Sequence, residues 1–372
     1  METILLFIAT IVFLIVIHEF GHFIFAKLFG VKVEEFGIGY PPKALTLFKL
    51  GETKYTLNWI PFGGFVRLLG EEQADEVVKE EDKGRRFADK PAWQKIIILV
   101  AGALFNFLFA WGALAYVYHS GAPLFWDKEY VENADLVIND VLENSPAKHA
   151  GLESGDIIKQ IYIKEGDEEK EPTLLSPAFV SKFISQSRGE TIYIKYIDKS
   201  DMQEKLLDIK AAQGVAEQDP SVLAIGVKLT LVSHIKYSWL EAIYKSFVQS
   251  VLYGRDIILA VYKLIKDSLS FKANLEHIAG PVGIATIVSD AASVSFEYFL
   301  YFVAIISINL AVINLLPIPA LDGGKAFLEF VQTIVRRKVS AGFENAVNTI
   351  GFVLLIALMI AVTYNDIVKL LS

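Results

Sequence analysis

Four stretches of the chain are apolar over lengths that suit a bilayer: 3–26, 96–118, 296–316, and 350–364 with its flanks. A helix needs about 20 apolar residues to cross the hydrocarbon core, so each stretch predicts a transmembrane helix. Between the second and third lies a polar region, 120–292, long enough for one domain of roughly 100 residues and a helical connector. Between the first and second, VEEFGIGY, ALTLFKLGETKYTLNWI and PFGGFVRLL alternate apolar and polar positions around a turn at Gly51 and Glu52, and predict strands. The run 237–269 is ambiguous. Trp239, Ile243, Phe247, Val251, Ile258, Val261, Ile265 and Leu269 recur at helical spacing, but Lys245, Arg255, Asp256, Lys263 and Lys266 interrupt the apolar character throughout. That suits a helix lying on the membrane surface better than a fifth span.

Composition agrees. The 372 residues are 53% hydrophobic, with a mean hydropathy of +0.42, too apolar for an ordinary soluble protein. The net charge is −8 and no Lys/Arg block interleaves with aromatics, which excludes a nucleic-acid binder. With no cysteine, any metal must be held by His, Asp or Glu. The first apolar run exceeds the 7 to 15 residues usual in a signal peptide, and neither a preceding basic residue nor a small-residue cleavage site accompanies it, so it is expected to be retained. The loop after the first run carries Lys27, Lys32, Arg85, Arg86, Lys90 and Lys95, and the loop after the third carries Lys325, Arg336, Arg337 and Lys338. Both predict a cytoplasmic position, and the polar domain is then expected outside.

The candidate chemistry lies within the first run, in IVIHEFGHFIF. His18, Glu19 and His22 are the only ionisable side chains of 3–26. A charge near the bilayer centre costs roughly 2.5–3.5 kcal/mol on insertion scales, so such residues need partners. His18 and His22, four apart, share one helix face and can grip one zinc ion, with Glu19 placed as general base for a water whose pKa the metal lowers toward about 7. A catalytic zinc wants a third protein ligand. The candidate is Asp322 in NLLPIPALDGG, where Pro317 and Pro319 prevent the third helix from continuing regularly. Asp-Gly-Gly is also an ordinary way to leave a helix. Depth and parity favour the ligand reading: His18 is about 22 Å along its helix, toward the cytoplasmic end, and four spans put Asp322 on that same side. A fifth span would move it across. Asn106, Asn309 and Asn314 lie inside apolar runs, where an Asn commonly bonds another helix. Asn314, eight residues before Asp322, is alternatively a donor to an oxyanion or to an unwound substrate. His119, His149, His234 and His277 lack ligand spacing and are expected to be non-ligands.

Together HEFGH, NLLPIPALDGG and the intervening domain resemble the site-2 protease family of intramembrane zinc metalloproteases, in its bacterial PDZ-bearing branch. The resemblance covers nearly the whole chain. It implies zinc held by His18, His22 and Asp322, Glu19 as catalytic base, and Asn314 and Pro317 as the Asn and Pro of the NxxPxxxLDG pattern. AGALFNFLFA is similar to the family's AGPxxNF stretch, with Ala103 where Pro is common. The segment 136–161 resembles a bacterial PDZ domain, with a short helix at 146–150, a turn at Gly155, a later helix at 177–186 and a strand at 191–196. The length leaves room for one such domain.

The expected fold is therefore a polytopic α-helical membrane protein with four transmembrane helices, a membrane-associated β-hairpin or sheet after the first helix, and an inserted α+β PDZ domain. The expected divisions are 1–30 (first span), 31–94 (β region), 95–119 (second span), 120–232 (PDZ domain), 233–292 (interfacial helix and connector), 293–324 (third span), 325–346 (cytoplasmic loop) and 347–372 (fourth span). The resemblance implies regulated intramembrane proteolysis in a bacterial inner membrane. Substrates would be single-span proteins of the anti-sigma-factor type or remnant signal peptides. The PDZ domain would bind a peptide or exclude bulky substrates, and the strands after His22 would hold an unwound substrate by edge pairing or form an ordinary hairpin. Two rival classes are a membrane zinc transporter, which fits poorly with four spans and one tight HExxH, and a catalytically silent PDZ scaffold, which has no need of Glu19.

Overall fold

The computed structural model describes residues 2–71, 82–121, 124–126, 134–166, 168–187, 189–215, 221–233, 236–269, 280–337 and 339–371. Along the chain the elements are α1 (Glu2–Leu28), β1 (Val33–Leu50), β2 (Thr53–Leu68), α2 (Ala92–Ser120), β3 (Leu124–Trp126), β4 (Ala134–Val141), α3 (Pro146–His149), β5 (Ile157–Glu165), β6 (Glu168–Lys170), α4 (Pro177–Ser185), β7 (Thr191–Ile197), β8 (Glu204–Lys210), β9 (Val227–Ser233), α5 (Trp239–Leu269), α6 (Pro281–Val294), α7 (Phe296–Leu315), α8 (Asp322–Val335) and α9 (Ala341–Leu371). They form two compact units, Met1–Ser120 with Tyr237–Ser372, and Gly121–Lys236.

In the first unit, four helical segments among the described residues are long and apolar enough to cross a membrane: Thr3–Leu28, Ala92–Ser120, Phe296–Leu315 and Gly342–Val368. Helix α2 is the hub, packed by α1, α5, α7 and α8. Small residues let these backbones approach, as expected where lipid leaves packing rather than hydrophobicity to join helices. Gly21 of α1 faces the α2 backbone so closely that a Cβ would lie 2.7 Å from the Ala101 carbonyl carbon. On α7, Ala304, Ile308 and Ala311 are buried, and Ser307 Oγ donates to the Asn106 carbonyl at 2.9 Å. Helix α5 buries a narrow stripe of Ala242, Ser246 and Ser250, one turn apart, and leaves Leu240, Tyr244 and Tyr262 exposed. It is joined to α2 by Trp111 Nε1–H donating to the Ile243 carbonyl, and to α7 by the Tyr253 and Tyr301 hydroxyls 2.6 Å apart.

Two elements differ from the sequence expectation. The connector contains α6, begun by Pro281 at its first position and held by Asp366 of α9, which accepts from the Gly280 and Gly283 backbone N–H groups at 3.1 and 2.8 Å. A buried carboxylate on these N-terminal donors supplies the cap that the local sequence lacks. The first half of the loop expected at 325–346 lies in α8, which opens on Asp322 itself. Ala326 faces inward while Phe327, Phe330 and Ile334 are exposed, a short amphipathic pattern.

Strands β1 and β2 form the expected hairpin, closed by Gly51 in the left-handed region (φ +61°), where lack of a Cβ is needed. Both strands bend, so the strip 35–38 is flanked twice: Phe36 pairs with Tyr55 on one side and Val66 on the other, and Gly37 with Thr56 and Phe65. The outer part, with Leu47, Phe48 and Trp59, is exposed. At the hairpin tip, Arg85 and Lys27 lie 2.6 and 3.0 Å from Glu52 and hold its carboxyl at about 2, below the usual 4.5. Because the folded value is depressed, the carboxylate stabilises the fold above about pH 4.5, and this contribution is lost as pH falls toward 2. Glu52→Gln should therefore melt below the wild type at pH 7, with the gap closing between about pH 4.5 and 2 in a thermal scan. A gap independent of pH would show that the charge is not responsible.

The second unit is an antiparallel sheet in the order β3-β9-β4-β5-β7-β8, with β6 on β5. Alternate residues Leu136 and Ile138, Ile161 and Ile163, and Ile192 and Ile194 build its core with Leu152 and Val180. Helix α3 starts at Pro146, its N-cap Ser145 accepting from the Lys148 N–H, and Gly155 turns the chain at φ +101°.

Candidate metal centre

On α1, His18 and His22 are buried on one face, their ring centroids 4.8 Å apart. Asp322 reaches them from the first turn of α8: its Oδ2 lies 2.8 Å from His18 Nε2 and 3.3 Å from His22 Nε2. One ligand atom from each of the three residues falls within 4.8 Å of the others. Chain separation between the two sides is about 300 residues, so local propensity cannot have produced the meeting.

Local chemistry delivers Asp322. Pro317 follows the last turn of α7 and cannot supply the N–H that its continuation needs. The chain turns through Ile318 N–H to Leu316 O (2.7 Å) and Leu321 N–H to Ile318 O (3.2 Å). The two glycines after Asp322 do more than turn the chain. A Cβ on Gly323 would strike the Leu316 carbonyl, and one on Gly324 the Ile318 carbonyl, so only glycine lets the first turn of α8 nest against this loop.

Helix α2 closes the cluster from the other side. A Cβ on Gly102 would lie 2.5 Å from His22 Nε2 and 2.6 Å from His18 Nε2, in the space that the two rings face. His22 Nδ1 is 2.8 Å from the Ile98 carbonyl. Donation to that oxygen places the proton on Nδ1 and leaves the Nε2 lone pair facing the space shared with His18 and Asp322. Two imidazole nitrogens and a carboxylate oxygen, converging with bare backbone beside them, fit a zinc ion with one position open. Glu19, His22, Tyr40, Arg67, Asp322 and Lys325 are among the residues lining an adjoining cavity of about 750 Å³. The β2 end 64–68 forms one wall, and at Gly64 a Cβ would lie 3.2 Å from Glu19 Cγ. Lys325 pairs with Glu71 (3.0 Å), another lining residue.

Asn314, in the last turn of α7, and Pro317 do not line this cavity among the described residues. Asn309 Nδ2 bonds the Ile305 carbonyl within its own helix. His119 stacks on Trp239 with Nδ1 3.0 Å from the Tyr237 carbonyl, and His149 Nδ1 lies 2.8 Å from the Ser145 carbonyl. His234 and His277 are outside the described residues. Sequence reasoning missed Gly102, Gly64, Tyr40 and the Ile98 carbonyl. Only Gly102 left a trace, as a small residue within an apolar run four positions before a buried Asn.

Two imidazoles, a carboxylate and an adjacent glutamate, set among membrane-length helices, define the class as a metallopeptidase centre. The sequence matches the peptidase family M50 over residues 6–358. A Clostridium perfringens relative described as a zinc metalloprotease is 34% identical over 95% of both chains, and the zinc metalloprotease RasP of Shouchella clausii is 29% identical with both chains covered in full. A solved PDZ domain from Listeria monocytogenes aligns at 20% identity with 27% of this chain and 93% of its own, at a TM-score of 0.20. The chain belongs to peptidase family M50, the site-2 proteases.

Proposed function

We propose that this protein is a zinc metalloendopeptidase that cleaves peptide bonds in the membrane-spanning segments of single-span proteins. The observation that carries the reading is the convergence of His18, His22 and Asp322 beside Glu19 at the wall of a cavity. His18, His22 and Asp322 would hold a zinc ion, which would supply Lewis-acid polarisation and lower the pKa of water toward about 7. Glu19 takes the proton of the attacking water and returns it to the leaving amine. Asn314 is the candidate donor to an unwound substrate backbone, and Pro317 shapes the loop before Asp322. Membrane-length helices around the site, with the basic residues of the loops after the first and third helices, support a multi-pass protein of a bacterial inner membrane. The Gly121–Lys236 unit is then an outward PDZ domain, acting as a filter against bulky substrates or as a peptide binder. Anti-sigma-factor-type proteins and remnant signal peptides are the substrate classes. Chelating zinc from the purified chain should abolish cleavage of a single-span reporter, and added zinc should restore it. Cleavage that persists after complete metal removal would end the proposal.

A helical substrate shields its carbonyls and must unwind before attack. The 64–67 segment of β2 is paired with β1 and borders Glu19, which suits it to hold an unwound strand. N–H groups alternate sides along a strand, so one of Phe65→Pro and Val66→Pro deletes an outward donor. That variant should lose most cleavage while keeping its zinc. Wild-type cleavage by both would remove strand addition from the mechanism.

A further inference from the structure

Helix α9 touches the loop that delivers Asp322 at two neighbouring points. Asn348 Oδ1 accepts from the Ala320 backbone N–H at 3.3 Å. Three residues on, and so on the same helix face, Gly351 lies under Pro319: a Cβ there would sit 2.5 to 2.8 Å from Pro319 Cβ, O and C. Ala320, which carries the first of these contacts two residues before Asp322, has φ +72°, in the left-handed region that a residue with a Cβ avoids. Such a conformation persists only where the surroundings over-determine it. Ala320 also lines the cavity, so a shift of this loop would move both a wall of the site and the carboxylate two residues on.

Along α9, Val353, Leu354 and Ile360 are exposed. Asn348 and Gly351 contact the 317–321 loop, while Val362 and Asp366 anchor the far part of α9 on α6.

We propose that α9 is a positioning element of the metal centre. Through Asn348 and the cleft at Gly351 it holds the 317–321 loop in its strained form, and this sets Asp322 against His18 and His22. Asn348 touches neither substrate nor metal; it acts through Ala320. The inference rests on reading those three residues as the zinc ligands.

The test uses the full chain in detergent, with zinc affinity measured by chelator competition and the ligand field read from the absorption spectrum of the cobalt-substituted protein. Asn348→Ala should weaken zinc binding severalfold, less than the roughly 10- to 100-fold typical of losing a partner bonded directly to a ligand, and should alter the cobalt spectrum. Adding Ala320→Gly, which adopts the left-handed conformation without steric cost, should recover most of the affinity and the original spectrum. Phe352→Ala, at an exposed position one residue beyond Gly351, should change neither. Wild-type affinity and spectrum in Asn348→Ala would overturn the proposal, as would a failure of Ala320→Gly to rescue. A purely structural role would lower the melting temperature and leave the affinity of the folded protein unmoved. If the wild-type chain itself bound no zinc, the ligand assignment would fail, a distinct result.

Discussion

Glu19→Gln is expected to lower cleavage of a single-span reporter by about 100- to 10,000-fold, the usual worth of a positioned general base, while zinc content stays at that of the wild type. Glutamine keeps the length and shape of the side chain and suits a helix nearly as well as glutamate, so α1 should be undisturbed. What it lacks is a basic lone pair able to take a proton from water. Glu19 is not one of the three clustered donors, so the metal should remain. Metal analysis beside a cleavage assay separates the two properties. Loss of zinc together with activity would make Glu19 a ligand, and undiminished cleavage would remove it from the chemistry.

Gly102→Ala is expected to be the more damaging of two superficially equal substitutions in α2. Glycine inside a helix is ordinarily about 1 kcal/mol worse than alanine, so propensity alone favours the change. At Gly102, however, the new methyl would stand 2.5 to 2.7 Å from the His18 and His22 rings, closer than real Cβ contacts come. The rings must then turn away, and Ile98, which fixes His22 through its carbonyl, loses its alignment. Zinc and activity should both fall by at least tenfold, the size of effect seen when outer partners of ligands are lost. Gly112, ten residues or nearly three turns along the same helix, has nothing within 4 Å of its would-be Cβ. Gly112→Ala should therefore leave zinc binding intact and raise the melting temperature slightly. Equal behaviour of the two variants in metal titration would contradict the packing described for α2.

The parts of the fold governed by local pattern were readable in advance. Residues 3–26 lie within α1, the turn at Gly51 closes a hairpin, and the helix expected at 177–186 spans Pro177–Ser185. In each case periodicity or turn chemistry acts within a few residues. The side chains of His18, His22 and Asp322 lie together, as expected from helix count and depth; the depth itself rests on the proposed topology. What escaped depends on contacts between distant elements. Nothing local marks Gly64 as the residue whose missing side chain admits Glu19, since its neighbour is on another element. The bounds of α6 within the expected helical connector were not legible, because its cap, Asp366, lies 83 residues beyond Gly283. α8 is short for a helix identified by periodicity alone, and the basic residues Lys325, Arg336, Arg337 and Lys338 around its ends point to a loop at its position. Asn314 stands in the last turn of α7 and is not among the cavity-lining residues, so its nearness in sequence to Asp322 leaves its proposed role toward substrate to experiment.

The most direct measurement is zinc X-ray absorption on the full chain and on Asp322→Ala. The account requires one zinc per wild-type chain with a first shell of two imidazole nitrogens and a carboxylate oxygen, and loss of that zinc in the variant. A fully occupied Asp322→Ala protein with an unchanged spectrum would contradict it.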